Sequence, residues 1–265
     1  MKLITFDPFR TLGLPGVRYI KPEHMHQYRD DLAAADWLLF PGYWQIHSLH
    51  YVLKRPIFPS LSSYHLGHDK AEMTRALQTA CPEHVPDTLI TASDKYGISE
   101  ILDLWRFPFV GKSVRSSQGM GVYLIENRQQ LLDYAARETV LYVQKLLPIV
   151  RDLRIVVVGD EIIASYWREG SGFLNNVSQG GRVRTDLPVP DNALSLVEGL
   201  ARYLNINHAG FDVAMVDGHP YILEFNRLFG NTGIPDLNQR VQQAMQRYLL
   251  GPATPPSSDD NKVSA

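Results

Sequence analysis

The chain has 265 residues, of which 45% are hydrophobic, and its 26 basic side chains nearly balance its 28 acidic ones. This is enough apolar material for a large core and for one to three compact units. The lack of a basic excess argues against nucleic acid as a bulk electrostatic partner. A single cysteine, Cys81, excludes an internal disulfide and fits a reducing compartment.

We expect neither a signal peptide nor a membrane-spanning segment from the sequence. The N-terminus, MKLITFDPFR, lacks the apolar stretch of a signal peptide, and no apolar run approaches the ~20 residues of a membrane helix. We therefore expect a soluble cytoplasmic protein that has no membrane partner.

Short apolar runs alternate with a helical segment in residues 1–65. The runs Leu3–Phe6, Trp37–Phe40 and Pro56–Pro59 have the length of strands, and Glu23–Ala35 has a helical composition. Short strands separated by helical segments predict a small parallel α/β unit.

The signals change after this unit, where two helices precede a group of strands. Helices are predicted at His68–Ala80 and Ser93–Trp105, with a loop at Pro82–Thr88. The runs FPFVGKSV, VYLI and TVLYVQKLL predict strands around a helix that Asn127 caps.

The last hundred residues contain two strong hairpin signals. The first is LRIVVV and EIIASYW around Gly159-Asp160, and the second is FDVAMV and PYILEFN around DGH. Between them lie a polar, glycine-rich stretch that we expect to be mobile and an amphipathic helix from Asp191 to about Leu204. A closing helix, Pro235–Leu250, precedes a tail that we expect to be disordered.

The second hairpin carries three oxygen-bearing side chains, Asp212, Glu224 and Asn226. Strand alternation places Phe211, Val213 and Met215 on the face opposite Asp212. On the second strand it groups Ile222 with Glu224 and Asn226, opposite the remaining apolar residues Tyr221, Leu223 and Phe225. Each strand therefore has one apolar face and one face that carries possible ligands.

The register of the hairpin decides whether these ligands meet. A three-residue loop, Asp217-Gly218-His219, places Asp212 across from Glu224, with Cβ atoms ~5 Å apart. A two-residue loop would place them on opposite faces, so either an odd-length turn or a bulge is required to bring Asp212 onto the face of Glu224 and Asn226. Two carboxylates so close repel each other unless a cation lies between them, and such an all-oxygen set suits Mg²⁺ with phosphate. The alternative is an ordinary solvated strand face.

Lys112 and the loop that follows it form a candidate phosphate cradle. The run Gly111-Lys112-Ser113 is no P-loop, because the position of the first glycine is occupied by Arg106. Lys112 instead lies in an apolar strand, where it either extends to solvent or neutralises an anion. The backbone amides of the next loop, SSQGMG, can approach a phosphate closely.

Other catalytic patterns have little support in the sequence. His24, His26, His47 and His50 lack the spacing of a His-Glu-x-x-His metal site, and no Gly-x-Ser-x-Gly elbow supports a Ser-His-Asp mechanism.

Several motifs occur in an order that resembles the ATP-grasp superfamily, in particular its RimK-like and glutathione-synthetase-like carboxylate–amine ligases. The resemblance covers about residues 66–250. It is carried by HDK at 68–70, VGKSVRSSQGMGVYLI at 110–125, YVQKLL at 142–147, DLRIVVVGDEIIA at 152–164, FLNNVSQGG at 173–181, AGFDVAM at 209–215 and ILEFN at 222–226.

The resemblance implies a fold and a division into parts. It implies an α/β (α+β) ATP-grasp fold with a short N-terminal parallel α/β unit at 1–65. Linker helices and the lid subdomain are expected at 66–148, and the C-terminal grasp subdomain with the metal hairpin at 149–250. The tail comprises 251–265.

The resemblance also implies a role for individual residues. Phosphate contacts are expected from the lysines and the glycine loop, namely Lys70, Lys112, Ser117, Gln118 and Gly119. Adenine and ribose contacts are expected from the strand and its exit, namely Gln144, Lys145, Leu146, Leu147 and Asp152, while Asn176 matches the asparagine of an Arg-Ser-Asn segment. Arg154 and Arg168 resemble the arginines that face the transferred phosphate and the acyl substrate. Asp212, Glu224 and Asn226 match the ligands of one or two Mg²⁺ ions, with Mn²⁺ as the alternative.

The chain departs from the family pattern at three places. Lys145 stands where the family usually has Glu, and Leu174-Asn175 replaces Arg-Ser. The family's Asn-x-x-Pro-Gly is here the run from Asn226 to Gly230, with Phe229 in place of proline. Arg227 in this run is either a surface residue or a binder of a substrate carboxylate.

The implied function is an ATP- and Mg²⁺-dependent C–N ligase, which joins an amino acid or peptide carboxylate to an amine through an acyl phosphate. Such chemistry needs positioning and charge neutralisation rather than a protein nucleophile. Two alternatives remain: a nucleotide-binding module without ligase activity, and a ligase that modifies a protein or peptide terminus. The sequence leaves the substrates and the oligomeric state open, with a homo-oligomer as one option.

Overall fold

The computed structural model describes residues 1–115, 121–170, 182–230 and 234–251. These residues form three sheets with helices packed against them, an α/β architecture as the sequence predicts. Within the described residues, no helix combines the length and the apolarity needed to cross a bilayer.

The N-terminal sheet is parallel and has the strand order β2-β1-β3-β4. Its strands are β1 Leu3–Thr5, β2 Val17–Tyr19, β3 Trp37–Leu39 and β4 Ile57–Phe58. The predicted helix after β2 is a 3₁₀ helix, Pro22–Tyr28, that continues as α1, Arg29–Ala33. A 3₁₀ turn (Tyr43–Gln45), a π-helix (His47–Val52) and α2 (Leu61–Leu66) complete this unit. The parallel unit is confirmed, although β2 carries no apolar signal.

A smaller antiparallel sheet follows, with the order β5-β8-β6-β7. Its elements are α3 Lys70–Ala80, β5 Thr88–Ala92, α4 Lys95–Leu104, β6 Phe109–Lys112, β7 Val122–Ile125, α5 Arg128–Ala135 and β8 Val140–Lys145. Asp69, Asp94 and Asn127 cap the three helices by accepting hydrogen bonds from backbone amides of the first turns. Strand β5 is absent from the sequence prediction, which ends a loop at Thr88.

The larger antiparallel sheet has the order β11-β10-β9-β12-β13. Its elements are β9 Arg151–Val158, β10 Glu161–Glu169, β11 Arg182–Arg184, α6 Asp191–Tyr203, β12 His208–Val216, β13 His219–Asn226 and α7 Leu237–Leu250. The predicted turn at Gly159-Asp160 joins β9 to β10, and Gly159 has the positive φ that such a turn requires. The tail after residue 251 and the glycine-rich stretch at 171–181 lie outside the described residues.

Both faces of the larger sheet are covered. On one face α3 and α6 pack on Leu153, Ile155 and Phe211. On the other face α7 and the N-terminal sheet pack on Val156 and Val158. The larger sheet is therefore enclosed between α3 and α6 on one face and α7 with the N-terminal sheet on the other.

His208, the first residue of β12, is a buried histidine among aromatic rings. Its ring stacks on Phe229 at 4.7 Å between ring centroids and lies edge-on to Phe40 and Phe58. Its Nδ1 lies 2.6 Å from the Arg227 carbonyl oxygen. Burial lowers the pKa of His208 to about 3, against the hydrogen bond to Arg227, while the charges of Arg10 and Arg227 lower it further.

His208 is therefore expected to make the fold sensitive to acid. The unfolded chain, with a histidine pKa of about 6.5, binds a proton that the folded chain excludes, so stability falls as the pH drops from about 6.5 toward about 3. Over the upper part of this window, wild type should lose about 1 kcal/mol more per pH unit than His208→Gln. Urea unfolding between about pH 7 and about pH 5 measures the difference, and parallel stability curves would refute it.

Candidate active site

The hairpin of β12 and β13 brings Asp212 directly opposite Glu224, as the sequence predicts. The loop prediction is wrong, because the turn has two residues, Asp217 and Gly218, both with positive φ. A β-bulge at Leu223 supplies the missing residue, since Val213 pairs with Ile222 while Asp212 pairs with Glu224. The required register is therefore reached by a bulge and not by an odd loop.

The bulge also corrects the predicted face of Ile222. Ile222 lies in the apolar core with Phe211, Val213 and Phe225 and not with the ligand residues. An extra residue in one strand reverses the alternation beyond it. The bulge lies between Ile222 and Glu224. Ile222 and Phe225, on either side of the bulge, therefore both face the core, while Glu224 lies on the same face as Asp212.

The three predicted metal ligands lie together at the open end of this hairpin. The Asn226 Nδ2 donates to Glu224 Oε1 at 3.0 Å, which leaves the amide oxygen as its acceptor. Glu224 has a side chain that is 22% exposed, and its Oε2 lies 3.7 Å from Lys70 Nζ. Two carboxylates and an amide oxygen on adjacent strands are the donors that Mg²⁺ prefers, so the residues fit the ion.

Asp212 is engaged with two arginines, and its side chain is only 7% exposed. Arg154 Nη2 donates to Asp212 Oδ2 at 3.2 Å, and Arg154 Nε lies 2.6 Å from Oδ1 without pointing its N–H at that oxygen. Arg168 Nη2 lies 3.0 Å from the same Oδ1. Two guanidinium groups thus stand at the predicted metal ligand, where a polyanion can be held.

Asp152 fixes the position of Arg168. Both of its carboxylate oxygens accept hydrogen bonds from Arg168, at 2.7 and 2.8 Å, in a buried bidentate pair. Burial raises the pKa of Asp152, against the pull of Arg168. Burial acts to lower the pKa of Arg168, but Asp212 and Asp152 outweigh it and raise that pKa. The ribose contact that the sequence predicts for Asp152 stays a prediction.

Gly210 allows Arg154 to cross β12. A Cβ atom at position 210 would lie 2.4 Å from Arg154 Nη1 and 3.1 Å from its Cδ. The guanidinium therefore passes over a backbone position that has no side chain, two residues before Asp212. This close approach gives Gly210 a steric role that the sequence does not reveal.

Lys112, at the end of β6, is buried against an aromatic ring. Its Nζ lies 5.5 Å from the Tyr142 ring centroid, a cation–π contact, and its backbone oxygen accepts from Tyr134 Oη at 2.8 Å. The Tyr142 hydroxyl in turn bonds Thr74 Oγ1 of α3. Tyr142 and Thr74 are missing from the sequence prediction, which takes β8 to contribute only from Gln144 onward.

The two predicted phosphate lysines are joined through α3. The backbone amide of Lys70 donates to the Val114 carbonyl at 2.9 Å, two residues beyond Lys112. Lys70 also reaches Glu224, so the lysines link the smaller sheet to the metal hairpin. The loop residues Ser117, Gln118 and Gly119, as well as Asn176, lie outside the described residues, and their roles stay predictions.

The predicted adenine segment is the end of β8 with its exit. Gln144 is buried and donates from Nε2 to the side-chain oxygens of Thr88 and Tyr142. Lys145 points outward, where its Nζ lies 3.3 Å from Asp87 Oδ2. The partly buried Leu146 and Leu147 follow as the chain leaves the sheet. Lys145 stands where the family usually has Glu. In this chain it pairs with Asp87, the residue before β5.

The match to a protein family covers most of this site. The model of the RimK-like ATP-grasp domain matches residues 68–249, a range that includes both lysines, both arginines and the acidic hairpin. The chain belongs to the RimK-like ATP-grasp family. This membership confirms the family resemblance and the enzyme class that it implies, an ATP-dependent ligase forming C–N bonds.

Curated relatives of this RimK-like protein align over most of its length. A probable alpha-L-glutamate ligase of Citrobacter koseri is 28% identical over 212 residues, which are 72% of this chain and 70% of the relative. A ribosomal protein bS6–L-glutamate ligase of Escherichia fergusonii is also 28% identical, over 75% of this chain and 71% of the relative.

Solved structures confirm the ATP-grasp fold. A RimK domain protein of Sphaerobacter thermophilus superposes with a TM-score of 0.64 at 17% identity, covering 82% of both chains. The D-alanine–D-alanine ligase of Bacillus anthracis, solved with ATP, gives a TM-score of 0.62 at 15% identity over 91% of this chain and 86% of that one. At these identities the likeness concerns the fold alone.

Proposed function

We propose that this RimK-like protein is an ATP- and Mg²⁺-dependent carboxylate–amine ligase. In the proposed reaction a carboxylate oxygen attacks the γ-phosphorus of ATP, and the bond to ADP breaks, which gives an acyl phosphate. An amine then attacks the acyl carbon, inorganic phosphate leaves, and the amine loses a proton. The product is an amide.

The observation that carries this proposal is the contact of three cationic side chains with the acidic hairpin, to which a fourth, Lys112, is linked through α3. Lys70 approaches Glu224, and Arg154 and Arg168 both contact Asp212. Lys112 lies on Tyr142, which is bonded to the helix that begins at Lys70. Cations held in place by buried partners stabilise charge that moves between phosphate oxygens and a carboxylate.

Each group has a proposed role. Asp212, Glu224 and Asn226 would hold the metal, which when bound neutralises phosphate charge and orients the phosphates. Lys70 and Lys112 bind the phosphates of ATP. Arg154 and Arg168 hold the reacting carboxylate beside the γ-phosphate, and Asp152 orients Arg168.

The nucleotide base is proposed to lie against the exit of β8. Gln144 and Lys145 are still paired with the neighbouring strands, and the chain leaves the sheet at Leu146 and Leu147. The proposed lid is the smaller sheet within residues 66–148, and the proposed catalytic subdomain is 149–250. Ser117, Gln118 and Gly119 are proposed to contact the phosphates from the lid side, and Asn176 is proposed to contact the nucleotide from the catalytic subdomain.

The identity of the substrates is proposed at the level of class. Two relatives are named as glutamate ligases, and one of these acts on ribosomal protein bS6. We therefore propose an amino acid as the amine substrate and an amino acid or peptide terminus as the acid. The variant in which the acceptor is a protein terminus is the second form of the same proposal.

The experiment is an ADP-release assay in which the mass of the product is also recorded. Wild type is incubated with ATP and Mg²⁺, with pools of the L-amino acids and of short peptides, and with each component omitted in turn. We expect ADP only when ATP, Mg²⁺ and a carboxylate are present, and a product whose mass is the sum of two substrates less water. Nucleotide binding without ADP release in any pool would instead support a binding module.

A further inference from the structure

A second cationic site lies at the carboxyl edge of the N-terminal parallel sheet. The chain leaves β1 into Asp7–Arg10 and leaves β3 into Pro41–Tyr43, and α2 starts soon after β4. Ligands of parallel α/β sheets bind at this edge, where the loops after the strands meet. In this chain the same edge is reached by Arg227, the residue after the proposed metal ligand Asn226.

Arg227 is held on the face of an aromatic ring. Its guanidinium carbon lies 4.4 Å from the centroid of the Tyr64 ring, and Tyr64 is itself fixed by a 2.6 Å hydrogen bond to the Pro41 carbonyl. Among the described residues no carboxylate forms an ion pair with Arg227. Burial lowers the pKa of Arg227 and the charge of Arg10 lowers it further, while the phenols of Tyr64 and Tyr43 oppose the shift. A half-buried guanidinium of this kind is the residue type that binds carboxylates.

Arg10 adds a second cation to the same neighbourhood. Its guanidinium lies 6.0 Å from the centroid of Phe40, and its Nε lies 3.4 Å from Asp7 Oδ2. Arg10, Asp7 and Phe40 line a cavity of about 350 Å³, which Phe229 and Gln242 also line. The pKa of Tyr64, which burial raises, responds to the charges of Arg227, Arg10 and Asp7. The segment Phe40-Pro41 connects the two arginines, because Arg10 lies over Phe40 and Arg227 lies over Tyr64, which bonds Pro41. This neighbourhood therefore contains two cations and one carboxylate, Asp7.

The direction of Arg227 separates this charge from the phosphate site. Its Cβ lies near Gly67 and, like Phe225, on the side of α2. Asn226, by contrast, bonds Glu224 on the side of Lys70. Alternation along β13 thus sends neighbouring residues to opposite sides. A carboxylate bound at Arg227 is therefore not the one that approaches the γ-phosphate.

We infer that Arg227 and Arg10 bind a carboxylate that the reaction leaves intact, the carboxylate of the amine-bearing substrate. This inference rests on the proposed ligase function and defines its amine substrate as an amino acid or peptide with a free carboxylate. The aromatic rings of Tyr64 and Phe40 hold the two guanidinium groups in place. Binding at this edge would direct the substrate amine toward the metal hairpin.

Calorimetry with matched probes tests the site without relying on turnover. The probes are the L-amino acids and their α-carboxamides, and a short peptide with a free or an amidated C-terminus. The proteins are wild type, Arg227→Gln, Arg227→Lys, Arg10→Gln and, as a control for lost charge, Arg29→Gln, whose side chain is 73% exposed on the same unit. Thermal unfolding of each variant verifies that it is folded.

We expect wild type to bind a carboxylate probe at least about tenfold more tightly than its carboxamide, the size of a charge-assisted hydrogen bond. Arg227→Gln should lose this discrimination, Arg227→Lys should keep part of it, and Arg29→Gln should keep all of it. Equal affinities of wild type and Arg227→Gln for carboxylate probes, or a failure of wild type to discriminate, would overturn the inference.

ADP release in the same mixtures separates this inference from the proposed function. In Arg227→Gln we expect the KM of the amine substrate to rise about 10- to 100-fold, with the KM of ATP unchanged. Wild-type ADP release by Arg227→Gln with an unchanged KM would sink the carboxylate site and leave the ligase standing. If wild type discriminates between the probes but releases no ADP, the carboxylate site stands and the proposed ligase function fails.

Discussion

Glu224→Ala is expected to abolish ATP turnover while the fold survives. The Glu224 side chain lies at the open end of the hairpin, where it contacts Asn226 and Lys70 and is 22% exposed. Because Glu224 is partly exposed and its ion pair with Lys70 is long, at 3.7 Å, its removal should change the free energy of unfolding by less than about 1 kcal/mol. Loss of a metal carboxylate should raise the barrier by several kcal/mol. ADP release and thermal unfolding measure the two effects.

The control for this variant is Glu198→Ala. Glu198 is an exposed residue of α6 that pairs with Arg202 at 3.3 Å, far from any proposed ligand. Its removal should change neither stability nor turnover measurably. ADP release by Glu224→Ala at the rate of this control would sink the assignment of the metal hairpin.

Asp212→Ala is expected to lose both turnover and stability. Asp212 is buried and is contacted by Arg154 and by Arg168, and Asp152 is the described acid left to pair with Arg168. Removal of one partner of a buried ion pair costs about 3–5 kcal/mol, because the opposite charge stays buried and unpaired. Asp212→Ala should therefore lose more stability than Glu224→Ala, because Asp212 is more deeply buried than Glu224. Urea unfolding of the two variants beside wild type measures it.

The matched comparison is Asp212→Asn, which keeps the shape and one hydrogen-bond acceptor. It should recover part of the lost stability and none of the turnover, because the amide cannot balance two guanidinium charges or replace a metal carboxylate. An Asp212→Ala protein that unfolds within about 1 kcal/mol of wild type would contradict the buried network.

The elements of this fold were predictable where a local signal was strong. Asn127 caps α5 and Gly159-Asp160 forms a turn, each because a side chain or a φ angle acts within a few residues. The order of the motifs, which resembles that of the ATP-grasp superfamily, then predicted the larger architecture. Strands β2 and β5 escaped prediction, since β2 is exposed and polar and β5 is only partly buried.

The misses at the site have a common cause, the dependence on contacts between distant segments. The bulge at Leu223 satisfies both the core and the ligand register, and nothing in the local sequence separates it from a longer loop. Tyr142 under Lys112 and Arg10 near Arg227 come from segments more than 20 residues away. Gly210 is explained only by the guanidinium that crosses it. Such roles depend on packing and not on spacing.

The central claim is that ATP activates a carboxylate by phosphorylating it. The direct measurement uses the acid found in the ADP-release screen, labelled with ¹⁸O in its carboxylate, together with ATP, Mg²⁺ and the amine. Mass spectrometry of the released phosphate should find one ¹⁸O atom per phosphate, transferred from the acid when the acyl phosphate is attacked by the amine. Amide formation that leaves the phosphate unlabelled would contradict the account.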